Sequence, residues 1–441
     1  MALLSADKLL PLLLGAAVGA GGIIQGLHWR RTAGPAGAEE LENQLRIASE
    51  ENAALKRENE SLRSLAQGGG EMPVPQEFID RVEKDLSLDF LSSPVIHRIA
   101  GEELRDRIGA AVESRFGPAG IDDRQEAYTL LGWLAGDHPL LPELTAVQAV
   151  GVRGWFDEVS GEGWVTDRFR IEDIPDQAAL VRLLTRILLR QHFPPPPAYP
   201  GDDADRARVA LHQGTAAGSE ARYYAASARA IGFVPMKQDA EAVRTFGTLA
   251  PFVRNLSLFA ATAGKGYADA LYVKGSGPLL AAFRNPPQTT RAILQPATPP
   301  AAPPPLELPP VVAPDDPAGG DYLGESAGEL GLRLWLDPAG ESPDAAGVAA
   351  HWVNDRYQLF AVGETEVAVI WEIELARPEA VDRLLPPALA RLGALAGAAA
   401  PATPGVALTT PGGRHLQLSR PAPGRLRILN TATPDTAAKW K

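Results

Sequence analysis

A chain of 441 residues with 45% hydrophobic composition can bury a substantial core, as one large domain or two medium ones. Its net charge of −12 and pI near 5.2 exclude the basic surface that a nucleic-acid partner needs, and no basic run with interleaved aromatics is present. The lack of cysteine removes disulfides, Cys-ligated zinc and thiol nucleophiles together.

The first element is an uncharged run of 19 residues, LLPLLLGAAVGAGGIIQGL at 9–27, which matches the length of a helix crossing a bilayer core. A secretory signal peptide is the competing reading. The run is long for a signal h-region, and no A-x-A cleavage site precedes His28, Trp29, Arg30 and Arg31. A retained single-pass anchor over 1–35 is therefore favoured, with Trp29 and its arginines at the interface. Gly15 and Gly19 form a GxxxG face suited to close helix contact.

Residues 36–67 carry heptads, with Leu41, Ala48, Leu55 and Leu62 at d and Leu45, Asn52, Asn59 and Ala66 at a. Asparagine at a costs stability but fixes register by pairing across two strands, so the pattern predicts a parallel homodimeric coiled coil. A solvated single helix is the alternative. Gly68 to Gly70, with Pro73 and Pro75, break the helix and predict a flexible joint over 68–76.

From 77 onward the periodicity predicts helices at 77–91, 100–116, 122–136, 176–192, 203–231 and 239–263. Within this series VRGWFDEVSGEGWVTDRF (152–169) reads as an edge β-hairpin about a Gly-rich turn. A Pro-rich strap follows at 296–317. Strands at 357–362, 366–374, 415–419 and 425–430 complete the chain as an antiparallel sheet. The fold class expected is α+β and predominantly helical.

The stretch LVRLLTRILLRQHF (180–193) has the frame of an HExxH zinc helix without its ligands. That motif holds one Zn²⁺ between histidines at i and i+4, while the intervening Glu activates the bound water. Here the frame reads Arg182, Leu183, Leu184, Thr185, Arg186. A guanidinium has no lone pair for a metal, and leucine cannot act as a base. The next helix carries LHQGTA, with Gln213.

A hairpin, then LVRLLTRILLRQHF, then LHQGTA is an order that resembles a bacterial and archaeal family of gluzincin-type zinc metallopeptidases. The family's helices read LVHELTHALQDQHF and ALxEGdA. The likeness continues through YVKGSGPLLAAFRNPPQTTRAILQP (272–296), LGESAGELGLRLWL (323–336) and AAHWVNDRYQLF (349–360), and spans roughly 76–435. It implies a zincin-like body over 77–441 whose helix-borne third zinc ligand, a Glu in the family, is here Gln213. It also implies a cleft lined by Trp155, Trp164, His192, His212 and Glu220, with Arg182, Leu183, Arg186 and Gln213 as its vestigial active-site positions. The seven histidines contain no i, i+4 pair and no HxH. A rewired site using His192 and His212 stands as the minor alternative, against structural or solvent-exposed roles for each. The two arginines, one turn apart, need a counter-charge, for which Glu220, Asp203 and Asp205 are the candidates.

Export of the resembled family favours an extracytoplasmic, periplasmic body. The positive-inside count, Lys8 before the span against Arg30, Arg31 and Arg46 after it, favours the cytoplasmic face. Three functions are open: a membrane-anchored pseudopeptidase that binds a protein or peptide without cofactor, a hydrolase with a rewired site, and a structural coiled-coil protein. No G-x-S-x-G elbow, phosphate loop or paired-carboxylate motif supports the second.

The stalk generates its own test. The isolated segment 36–70 is expected to sediment as a dimer at tens of micromolar. Asn52→Leu with Asn59→Leu should raise its melting temperature while mixing its oligomeric states. A monomer at that concentration removes the coiled coil.

Overall fold

The computed structural model describes residues 46–47, 70–116, 118–231, 240–296, 321–362 and 366–434 of the chain. The anchor at 1–35 lies outside them, as do the stalk at 36–67 apart from helical Arg46 and Ile47, and the strap beyond Pro296. Among the described residues no helix is long and apolar enough to cross a membrane. Residues 71–441 form one compact unit, α+β in class, whose C-terminal part is an antiparallel sheet.

The unit opens with α1 (Gln76–Leu86), β1 (Ile96–Ile99), α2 (Gly101–Phe116), α3 (Pro118–Leu131) and α4 (Leu140–Ala149). The hairpin follows as β2 (Gly154–Phe156) and β3 (Gly163–Thr166), and then come α5 (Ile174–His192) and α6 (Asp202–Ile231). It is no lone edge hairpin: β1 pairs with β3 in parallel, so β3 is central and β2 takes the edge. The joint at 68–76 is also tied down from its fourth residue. Glu71 bridges to His97, the Met72 amide donates to Ile96 O at 2.6 Å, and Met72 is buried.

Helix α5 is sheathed in apolar contact. Leu180, Leu183, Leu184, Leu188 and Leu189 are all 0–1% exposed. Its Thr185 is fully enclosed, and its hydroxyl is satisfied by the Val181 carbonyl one turn back. The helix is a core element, with only a narrow stripe free of the packing.

The stretch expected as one helix at 239–263 divides into α7 (Ala240–Thr248) and α8 (Pro251–Phe259), followed by a π-helical turn at Ala260–Gly264 and α9 (Lys265–Tyr272). Pro251 has no N–H and forces extended backbone on the residue before it, which ends one helix and starts the next. Two other helices end early for local reasons. Ser87 turns left-handed after α1, and Gly132 has φ of +80° after α3. Short helices α10 (Ser276–Arg284) and α11 (Thr290–Leu294) complete this half.

The second half contains β4 (Asp321–Glu325), α12 (Gly328–Leu336), α13 (Pro343–Ala349), β5 (Trp352–Val362), β6 (Glu366–Leu375), α14 (Pro378–Ala396), β7 (Ala407–Thr409), β8 (His415–Ala422) and β9 (Arg425–Thr431). The sheet order is β4-β5-β6-β9-β8-β7, antiparallel throughout. The four expected strands are its middle, while β4 and β7 extend it. The LGE residues lie in β4, and the helix starts only at Gly328. A core of Trp133, Trp335, Trp352, Trp371 and Tyr357 joins this sheet to α3 and α12.

Helix α6 meets the π-turn at backbone distance. A Cβ on Gly214 would stand 2.2 Å from Gly264 C, and one on Gly264 would stand 2.4 Å from Ala210 O. Gly214→Ala is expected to destabilise by about 1–3 kcal/mol, since the contact is with backbone that cannot step aside. Gly266→Ala, in the same region but with nothing within 4 Å, should instead stabilise by about 0.5–1 kcal/mol. Urea unfolding of the full chain compares the two; equal effects would remove the close-approach argument.

Candidate functional site: an arginine-lined cleft

Between α2, α4, the hairpin, α5, α6 and α8 lies a cleft of about 930 Å³. Its rim on one side is Pro195, Pro196, Pro197 and Pro200, from the connection between α5 and α6. The π-turn contributes Ala260 to the opposite wall. Single-turn π segments recur at functional sites because they turn backbone and side chains out of helical register.

Arg182, Leu183, Arg186 and Gln213 all line this cleft, and Trp155 and Glu220 join them. The other three expected lining residues do not. Trp164 is covered on both faces, stacked on His97 at 4.4 Å and capped by Arg107 at 3.8 Å. His192 lies at the far end of α5, its Nε2 at 2.8 Å from Asp89 O. His212 is neighbour in sequence to Gln213 but about 100° around the helix from it, and packs edge-on against Phe283 at 4.8 Å. Burial, reinforced by Arg208, Arg186 and Arg190, pushes His212 down to about 3 against the pull of Glu158, so it is neutral at pH 7. His192 and His212 thus have separate partners and no shared site. Among the described residues no three His, Asp or Glu side chains gather as a metal-binding group.

Leu183 closes the centre of the old frame by packing. It is 1% exposed, and its Cδ1 lies 2.6 Å from where a Cβ on Gly154 would stand. Strand β2 therefore rests directly on this leucine, and only glycine at 154 allows it to do so.

The arginines are answered by carboxylates from several elements. Arg182 donates to Glu220 on α6 at 3.3 Å. Arg186 donates to Glu158 at 2.5 Å and lies over the Phe156 ring at 4.7 Å. Arg208 donates to both Glu158, at 3.4 Å, and Asp205, at 3.1 Å, and Arg115 also pairs with Asp205. Arg153 pairs with buried Asp176. The expectation that Glu220, Asp203 or Asp205 would neutralise the arginine pair thus holds for Glu220 with Arg182. Asp205 serves Arg208 and Arg115 instead, and Asp203 accepts from the amide and hydroxyl of Thr290.

Glu158, from the hairpin turn, was not expected. Burial alone would raise its pKa, but Arg186, then Arg208, His212 and Arg115, hold it down at about 2. Its side chain is 28% exposed, in a recess that opens on the cleft. Arg190, one turn beyond Arg186, was also missed, though Arg182, Arg186 and Arg190 share one face at i, i+4 and i+8. Among the described residues Arg190 has no acid partner, and its Nε is enclosed without a hydrogen bond.

At the end of the cleft formed by α3 and α6, Asp202 accepts from Tyr128 Oη at 2.6 Å, Tyr357 Oη at 2.6 Å, Tyr199 Oη at 2.8 Å, Arg124 Nε at 3.0 Å and Arg206 at 3.3 Å. Arg124 also reaches Glu325 on β4 at 2.7 Å. Arg206 and Arg124, with the hydroxyls of Tyr128 and Tyr357, outweigh the cost of burial and keep Asp202 well below the usual carboxylate range. Burial and Asp202 together hold Tyr128 and Tyr199 far above an ordinary phenol. The cleft's arginines, with Glu158 and Asp202, are therefore fixed charges suited to recognising anions, while burial raises Glu220 against the pull of Arg182.

The Glu158 pair makes stability depend on acid. Its folded pKa near 2 lies below the unfolded 4.5, so the contribution is present above about 4.5 and is lost as pH falls through about 2. Glu158→Gln is expected to melt below the parent at pH 7, with the gap closing between those two values. Parallel melting curves across that window would remove the ion pair from the stability of the cleft.

No protein-family model matches the chain, and no curated protein or solved structure is similar to it.

Proposed function

We propose that this chain is a pseudopeptidase: a membrane-anchored, dimeric binding protein whose metallopeptidase-like cleft holds a peptide segment of a partner without cutting it. The observation that carries the reading is the fate of one set of positions. Arg182, Leu183, Arg186 and Gln213 lie on two packed helices and face one cleft. None of the four offers a histidine or carboxylate ligand, and each arginine is engaged by a carboxylate of the chain itself. Leu183 is packed against β2, where a general base would need room for water and substrate.

The size of the cleft supports binding as the retained activity. About 930 Å³ is at the upper end of the volume that ligand pockets occupy, and apolar walls from Trp155, Phe156 and Phe259 accompany the polar groups. The anchor and the coiled coil belong to the same proposal and would present two such clefts, tethered at one membrane. The resemblance to zinc peptidases supplies the family side of the argument, on motif order alone.

Protein purified without chelators is expected to carry far less than one zinc per chain by elemental analysis. It should also leave a mixed peptide library uncut in mass spectrometry. One tightly held zinc per chain, or any metal-dependent cleavage, would replace the pseudopeptidase with a rewired hydrolase.

A further inference from the structure

The charges of the cleft do not cancel, and where they fail to cancel is specific. Eight arginines line it, and counting every acid that pairs with them, including Asp176 and Glu325 just behind the wall, gives six carboxylates. Arg182 with Glu220 and Arg153 with Asp176 are matched pairs, and Arg124 and Arg206 are matched by Asp202 and Glu325. The imbalance is left in two places. Among the described residues Arg115, Arg186 and Arg208 share Glu158 and Asp205. Arg190 has no carboxylate among the described residues, and its Nε, like that of Arg208, is enclosed without a hydrogen bond.

Two unmatched positive charges therefore sit inside a protein whose net charge is −12. Leaving buried guanidinium donors unanswered is costly, and carboxylates are the groups that match their planar fork. Arg186 and Arg190 are one helical turn apart, about 6 Å along α5. Alternate residues of an extended peptide are about 6.7 Å apart and lie on one face.

We infer that the cleft binds an extended acidic peptide segment of the form acid-x-acid, one carboxylate meeting Arg190 and the next the Arg115–Arg186–Arg208 group. The inference rests on the reading of the cleft as a peptide groove and adds its specificity. A free dicarboxylate has the same charges, but it leaves most of about 930 Å³ and the Trp155 and Phe259 walls unfilled. The peptide's intervening and flanking apolar residues use that space.

The test is fluorescence anisotropy on the full-length chain in mild detergent, with a labelled, end-blocked peptide of alternating glutamate and leucine. Saturable binding that weakens with salt is expected, with at least tenfold weaker binding of the matching glutamine-leucine peptide. Arg190→Gln should weaken the acidic peptide tenfold or more with unchanged melting temperature, and Arg190→Lys should recover most of the loss. If glutamine and glutamate peptides bind alike, the acidic specificity is overturned while the peptide groove survives. If neither peptide binds, the groove reading itself fails. Displacement by glutarate or inorganic phosphate at concentrations below those of the acidic peptide would overturn the peptide as the source of the charge.

Discussion

One buried carboxylate holds the body together around its cleft. Asp202 is 2% exposed and is bonded from α3 through Tyr128 and Arg124, from the sheet through Tyr357, from the proline-rich connection through Tyr199, and from its own helix through Arg206. A charge in such a place is tolerable only when its donors are complete, because each missing one leaves an unpaid desolvation cost. Its position as the first residue of the 30-residue α6 adds the favourable field of a helix N-terminus. This side chain thus ties the helical half to the sheet half beside the cleft, alongside the aromatic core they share.

A second buried carboxylate does comparable work two residues from Tyr357 on the same face of β5. Asp355 accepts the indole N–H groups of Trp352 and Trp371, the Ser326 hydroxyl and the amides of Ala327 and Gly328. Those two amides open α12, so the aspartate caps a helix from a neighbouring strand and fixes two core tryptophans at once. Asp203 is the contrasting case. Among the described residues its Oδ2 has no partner, and burial raises its pKa to about 7 even though Thr290 donates to Oδ1. Where donors are few the proton is retained; where they are many the charge is. The cleft stands at the second extreme, with arginines in excess of the acids that meet them.

How far the sequence could be read depends on how local each cause is. Helices α5 and α6 were legible because their start and stop signals, Asp and Pro in the first turn and basic residues in the last, lie within a few residues of their ends. Strand β1 was not, since four residues of IHRI gain their pairing from β3, which lies more than sixty residues downstream. In the cleft, helical periodicity put Arg182 and Arg186 on one face, while Gln213 was expected there from the resemblance to zinc peptidases. Glu158 was not legible, because it reaches Arg186 from a turn 28 residues upstream, and no pattern in the turn distinguishes it from Glu162, which meets His97 instead. The histidines failed for a geometric reason: His212 and Gln213 cannot point the same way from adjacent positions on one helix.

The proline rim has a kinetic meaning. Pro195 to Pro197 and Pro200 fix their own φ angles, and Tyr199 between them is tied to Asp202, so that edge of the cleft has little freedom to open or fold over. A groove with one rigid bank is ordered before its occupant arrives and loses little entropy on binding. Encounter is then governed by charge. The net negative charge repels an anionic segment that comes within about a Debye length, and the arginines draw it only once it has reached the mouth. Such a site is slow to find and selective about the direction of approach.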